Sequence, residues 1–253
     1  FLIAEVTAVA ILVNYISETS LWITAIIVIV TSLIYTLYGG LRASIFTDNI
    51  QFIILVILFL ISFSYIYSFN EAEFNFNYIK ENKSFLLSSK YLPNFTAGIT
   101  FFIAVAATNL FHQGNWQRVY AAKNEKVLKR SLISSFLIII PIVFFMGFSG
   151  LVSKSINNNV IHDLAFFELL LKNQFHTISL VIIILAISLT VSSIDTLINA
   201  ISSLIIVDGV KIVKVKNYSL LSKQIIILLC LVALLIASKG LSILYLFLIA
   251  DLL

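Results

Sequence analysis

The 253-residue sequence predicts an all-α polytopic membrane protein, and three observations carry that expectation. Apolar residues make up 60% of the chain and charged residues only 11%, against about a quarter charged in soluble domains. Uncharged runs of bilayer length recur from end to end, as expected when lipid is the solvent. Lys and Arg gather at the ends of those runs. An ordinary soluble domain is excluded. The formal net charge of +4 follows from membrane orientation and argues for no nucleic-acid partner. One cysteine, Cys230, leaves no disulfide framework and no paired-thiol metal or redox site.

The chain starts inside an apolar run at Phe1 and stops in another, Leu241 to Leu253, too short to cross a bilayer. With no initiating Met and no signal-peptide pattern, it reads as an internal piece of a longer protein. Six full spans are expected, over 20–39, 44–68, 96–119, 131–153, 176–207 and 217–238, with incomplete helices at both ends. Residues 69–95 carry Glu71, Glu73, Lys80, Glu81, Lys83 and Lys90, and residues 154–175 carry Lys154, Asp163, Glu168 and Lys172. Both are extramembrane loops. In the second, Ile161, Leu164, Phe167, Leu170 and Leu171 at helical spacing predict a short amphipathic helix across a membrane-facing opening. Ten basic residues fall in the connections around Arg42, 118–130 and 208–223, and six in the alternate, longer loops. The positive-inside rule puts the first set in the cytoplasm and the long loops outside.

Within a bilayer an Asp, Lys or Arg at a helix centre costs about 2.5–3.5 kcal/mol on insertion scales, so intramembrane polar residues mark candidate sites. Ser188, Ser192, Asp195, Asn199 and Ser202 follow one another at steps of four, three, four and three, one continuous helical stripe. The adjacent hydroxyls of Ser192 and Ser193 loosen the commitment of a carbonyl one turn earlier, and hard cations take such oxygens. Small hydroxyl residues also serve simply to pack helices closely; Asp195 tips the stripe towards a wetted path. A second cluster runs Tyr38-Gly-Gly-Leu-Arg-Ala-Ser-Ile-Phe-Thr-Asp48-Asn-Ile-Gln51. Its glycine pair is expected to end one span before the next begins, and Ser44, Thr47, Asp48 and Gln51 share a face. The cluster fits an interfacial turn with Asp48 at a helix N-terminus, or an anionic station on a cation's path. A third, Ala107 to Arg118, holds Asn109, His112 and Gln113 among six uncharged polar residues. It predicts a discontinuous helix of the kind that builds midplane sites, with the irregularity at Gly114. Asn115, Trp116 and Gln117 equally suit a polar cytoplasmic helix end with Trp116 as an interface anchor. Glu5 and Asp251 lie in incomplete spans of unknown depth, Glu18 suits an outer interface, and His162 and His176 lack ligand-type neighbours. No phosphate loop, HExxH or GxSxG occurs, so nothing points to an enzyme.

Three motifs in order give the chain a family likeness: Tyr38-Gly-Gly-Leu-Arg-Ala-x-x-x-Thr-Asp48-x-x-Gln51, Gln117-Arg118-Val-Tyr-Ala-Ala-Lys123, and Ser192-Ser193-x-x-x-x-x-Asn199-x-x-Ser202-Ser203 leading to Asp208-Gly-Val-Lys211. The chain resembles the sodium/solute symporter family, which includes proline, pantothenate and galactose symporters and urea permeases, over about half of a typical member. The resemblance implies a partial inverted-repeat, leucine-transporter-like fold. Residues 1–68 would close the first helix repeat (part of the third core helix, then the fourth and fifth). Residues 69–95 would form an extracellular loop, and 96–253 the second repeat (sixth to ninth, part of the tenth) with its outer loop at 154–175. It further implies a sodium ion held by the Ser192 and Ser193 hydroxyls and the Leu189 carbonyl, with Asp48 on the sodium exit route. Asn109, His112 and Gln113 take the substrate-binding positions, and Asp195, where other members carry a small or apolar residue, is a candidate second ion or proton station. Between Asn109 and Arg118 the chain is shorter than the sugar transporters, and Ile138 to Ile140 stand where those place a lysine, which argues against a sugar.

The function expected on this basis is sodium-coupled symport of a small polar solute (an amino acid, urea or organic acid) by alternating access, in a multi-pass plasma or bacterial inner membrane protein. The alternatives are a transporter-like sensor domain of a signalling protein and a passive solute channel.

Overall fold

The computed structural model describes the backbone of residues 1–69, 73–171, 176–212, 214 and 216–252, and the side chains within them except at 35, 39–43, 69, 108, 111, 176, 210, 251 and 252. The Arg42, His176 and Asp251 side chains and all of Glu71 and Lys172 therefore lie outside the described residues. The described residues are helices and connections with no strand: α1 (Leu2–Ser17), α2 (Leu21–Phe69), α3 (Phe76–Lys83), α4 (Leu92–Phe111), α5 (Gln113–Tyr120), α6 (Glu125–Ile156), α7 (Ala165–Leu171), α8 (His176–Val207), α9 (Gly209–Ile212), α10 (Tyr218–Ala237) and α11 (Ile243–Leu252). They form two compact units, Phe1–Leu58 with Leu180–Leu253, and Phe59–Ser179.

Among the described residues five segments are long and apolar enough to cross a membrane: Leu21–Tyr38, Ser44–Ser68, Glu125–Ile156, Thr177–Val207 and Tyr218–Ala237. The chain is a multi-pass membrane protein. The expected span at 96–119 is α4, Leu92–Phe111, which ends at a break at His112 instead of running on to 119. Large apolar side chains stand exposed along these segments, among them Ile53 and Leu60 on α2, Phe136 and Leu137 on α6, and Leu235 on α10. Such surface belongs against acyl chains.

The helix starts follow local chemistry. Asn75, Asn124 and Asn217 each sit in extended backbone and accept, through the side-chain oxygen, the amide three residues on, at 2.8, 2.9 and 3.1 Å. Asparagine is among the best residues for satisfying an orphan amide at a helix start. The cap at Asn124 is why α6 starts six residues before the expected 131. Its extra turns carry Lys126, Lys129 and Arg130, whose long stems reach the headgroup layer.

The glycine pair does not end a helix as expected. Backbone 39–43 stays helical and α2 runs for 49 residues, roughly 74 Å at 1.5 Å per residue. No proline interrupts its ladder. Thr36 and Asp48, on either side of the pair, bond Asp195 and Ser192, which are three residues apart on α8.

In the first unit, α10 packs on α1 through Ser222, Ile226, Cys230, Ala233 and Ala237, a one-face row of mostly small residues, against an α1 face that includes Ala4, Ala10 and Leu12. Small residues let helix backbones approach closely, which is how dispersion replaces the hydrophobic effect in lipid. In the second unit, Phe145 is the hub of an aromatic core, with ring centroids 4.9–6.1 Å from Phe59, Phe63, Phe74 and Phe166. The expected amphipathic helix is present as α7 and packs on α6. It buries Phe166, Leu169 and Leu170, and the 3₁₀ turn before it buries Leu164, whereas Ile161 is exposed. The face is shifted because the segment opens with that tighter turn at His162–Leu164, which advances the register relative to a pure α-helix.

Gly240 follows α10 with φ +62°, and an added Cβ would lie 2.9 Å from Leu21 Cδ1. Gly240→Ala should therefore cost about 1–2 kcal/mol from the left-handed backbone alone and lower the thermal midpoint in detergent. Gly147→Ala, with nothing within 4 Å of the added Cβ, should leave the midpoint unchanged or raise it.

Candidate ion and solute sites

The polar stripe of α8 lies in the first unit, and its members are tied to two other helices. Ser192 Oγ donates to Asp48 Oδ1 at 2.7 Å, joining α8 to the second half of α2. Asp195, fully buried, accepts from Thr36 Oγ1 at 3.1 Å and from Asn199 Nδ2 at 2.7 Å, joining α8 to the first half of α2. Ser202 and Ser222 share a 2.9 Å hydrogen bond to α10. Two more buried α2 hydroxyls, Ser32 and Ser44, stand one turn from Thr36 and Asp48 and have no hydrogen-bond partner. A buried polar atom left unsatisfied is costly, and such atoms are found where a protein handles polar cargo.

Sequence reasoning singled out Ser192, Ser193, Asp195 and Asp48, and the structure brings three of them, Ser192, Asp195 and Asp48, into the α2–α8 contact. Leu189, one turn ahead of the serine pair on α8, has an exposed side chain; only its carbonyl is relevant to a cation. Asp48 is bonded directly to Ser192. Thr36 was missed: it is a single hydroxyl in an apolar run, and its pairing with Asp195 comes from helix packing.

Asn109, His112 and Gln113 lie in the second unit, at a break between two helices. His112 adopts ψ 107°, which ends α4 and starts α5. The irregularity is thus two residues before the expected Gly114, which fits helically and buried in the first turn of α5. A break frees carbonyls in the last turn of the first helix, and the following helix takes them up. Trp116 Nε1 donates to Leu110 O at 2.7 Å. Asn115 Nδ2 donates to Asn109 Oδ1 at 2.9 Å, and Asn109 Nδ2 donates to Val105 O at 2.8 Å. Asn109 therefore helps to hold the break, and Trp116, the expected interface anchor, also caps it. His112 and Gln113 are half-buried at the break itself.

Among the described residues no group of three or more His, Cys, Asp or Glu side chains could hold a metal ion. The α8 oxygens are instead a mixed set of hydroxyls and single carboxylates, suited to a weakly held hard monovalent cation.

The profile of the sodium:solute symporter family matches residues 1–248. The chain is similar to the spermidine transporter DUR31 of Candida albicans, 26% identical over 209 residues, which is 81% of this chain and 39% of that protein. The chain thus spans about two-fifths of the length of this curated relative. No solved structure matches it.

Thr36→Val removes a donor from the buried Asp195 carboxylate while keeping the side chain's shape, and should lower stability by about 1–3 kcal/mol. Thr31→Val should be near neutral, because Thr31 is exposed and bonds only its own helix through Ile27 O. Thermal unfolding of the two variants in the same detergent separates them.

Proposed function

This chain belongs to the sodium:solute symporter family, and we propose that the protein carrying it moves a small polar solute across the membrane by coupling it to sodium. The single observation behind this reading is the 2.7 Å bond from Ser192 Oγ to Asp48 Oδ1. A serine has one proton and two acceptor lone pairs. With the proton committed to Asp48, the oxygen is left as a pure acceptor, the condition for replacing part of a sodium ion's hydration shell. Ser193 and the Leu189 carbonyl, one turn earlier, complete the chain's share of the ion ligands.

Coupling then requires only a difference in affinity between states. Sodium at the serine oxygens favours the outward-open arrangement, the solute binds better to that arrangement, and rocking of the helix sets releases both inward. Asp48 sits one bond from the serine pair, so the departing ion meets a carboxylate immediately. Asp195, held by Thr36 and Asn199, is the second ion or proton station in this scheme. Asn109, His112 and Gln113 present polar side chains at the break in the second unit, where the solute would contact them and the helix ends. The solutes to assay are amino acids, urea and organic acids, together with spermidine, the solute in the relative's name.

Uptake into proteoliposomes should rise with an inward sodium gradient and accumulate solute above its outside concentration, which a passive channel cannot do. Ser193→Ala should raise the sodium concentration for half-maximal uptake by about 10-fold, the loss typical of a disturbed ion ligand. An unchanged sodium dependence in Ser193→Ala removes the assignment.

A further inference from the structure

We propose that the connection between α3 and α4 is a binding site for one anionic phospholipid, its phosphate taken by Lys80, Lys90, Ser84 and Ser88 and its acyl chains lying along α4. The site lies within the second unit and is independent of the ion and solute readings above.

α3 ends at Lys83, and a 3₁₀ turn, Ser84–Leu87, leads towards the start of α4 at Leu92. Beside that turn opens a cavity of about 710 Å³, lined by Lys80, Ser84, Ser88 and Lys90 together with Phe85 and Tyr91. The two rings pack edge-on with centroids 5.7 Å apart. Among the described residues none of the two ammonium groups and two hydroxyls has a partner, and no acidic residue lines the cavity. Glu81 follows Lys80 in sequence, but adjacent helical residues point about 100° apart, and it is not part of the lining. Lys83, on the same helix, is committed elsewhere: its Nζ donates to Lys154 O of α6. Two cations bordering one space without a carboxylate repel each other, and an anion between them relieves that repulsion.

The backbone of the turn is prepared for the same ligand. Asn94 Nδ2 donates to Phe85 O, Leu86 O and Ser88 O at 2.7, 3.3 and 3.1 Å. The carbonyls that would compete with an anion for nearby donors are thereby engaged, and the turn is tied to the first turn of α4.

What favours a lipid over a soluble anion is the helix that continues from the cavity. On α4, Leu92, Phe95, Ile99 and Phe102 follow at steps of three, four and three, an exposed apolar row on one helical face that begins next to Lys90 and Tyr91. A ligand with phosphate at one end and hydrocarbon at the other meets charge in the cavity and chains on the row. Lysine stems and tyrosine rings suit the headgroup layer, and basic pockets beside membrane helices take anionic headgroups.

The test titrates dioleoyl phosphatidylglycerol into the detergent-purified protein that carries this chain and resolves successive bound lipids by native mass spectrometry. Lys80 and Lys90 are exposed and hold no other group, so their variants should keep the parent's thermal midpoint. Lys80→Gln and Lys90→Gln should each weaken the first phosphatidylglycerol ~5-fold and the pair ~30-fold, while Lys239→Gln, in the first unit, stays within about twofold. Phosphatidylcholine should bind the parent more weakly than phosphatidylglycerol, and the paired variant should lose that preference. An affinity within about twofold of the parent in the paired variant, equal binding of the two lipids by the parent, or as large a loss in Lys239→Gln overturns the site. Displacement of the lipid by an equal concentration of glycerol 3-phosphate overturns the lipid assignment and makes the cavity a site for soluble organic phosphates.

Discussion

Every polar group that enters a bilayer needs a partner inside the protein, and α8 shows how much structure follows from that constraint. A helix with a serine, serine, aspartate, asparagine and serine on one face cannot turn that face to lipid without losing several kcal/mol. Three of those groups take partners on other helices: Ser192 meets Asp48 and Asp195 meets Thr36, both of α2, and Ser202 meets Ser222 of α10. The packing order of the first unit is in large part the list of those partners. The apolar remainder of the same helices specifies little, since Leu and Ile are as well solvated by acyl chains as by each other.

This explains which parts of the architecture were legible in the sequence. Membrane crossing was, because hydrocarbon thickness imposes a length and a composition that local sequence alone satisfies; five of the six expected spans are present as long apolar helices. The amphipathic α7 was legible for the same local reason, its buried face less so because a 3₁₀ turn altered the phase. The discontinuity near 112 was foreseen from six polar side chains crowded into one span. Its position was not, because glycine marks where a helix is permitted to break, whereas His112 is where competing hydrogen bonds from Asn115 and Trp116 hold it broken.

The candidate site divides along a similar line. The stripe on α8 is visible as a period in one segment. Its partners are not, because Thr36, Asp48 and Ser222 are distant in sequence and carry no periodicity that points at α8. The glycine pair shows the reverse, a local signal read as a helix end where the backbone stays helical.

The break at His112 and the α2–α8 contact can be understood as two answers to one geometric difficulty. A regular helix presents its polar groups sideways and keeps its carbonyls to itself, so it offers an ion or a polar solute side chains only. Breaking the ladder, as between α4 and α5, releases carbonyls, but they have to be capped or they become a liability; the carbonyls of Leu110 and Asn109 are met by Trp116 and Asn115. The break therefore gathers uncharged polar side chains around it. The continuous α2 keeps its ladder and meets one turn of α8 through two side chains, Thr36 and Asp48. That contact brings the Asp48 and Asp195 carboxylates onto neighbouring turns and so concentrates anionic charge. An uncharged polar solute is matched by the first and a small cation by the second. On physical grounds this chain therefore places the polar residues proposed for the solute at its helix break and those proposed for the ion at the α2–α8 contact.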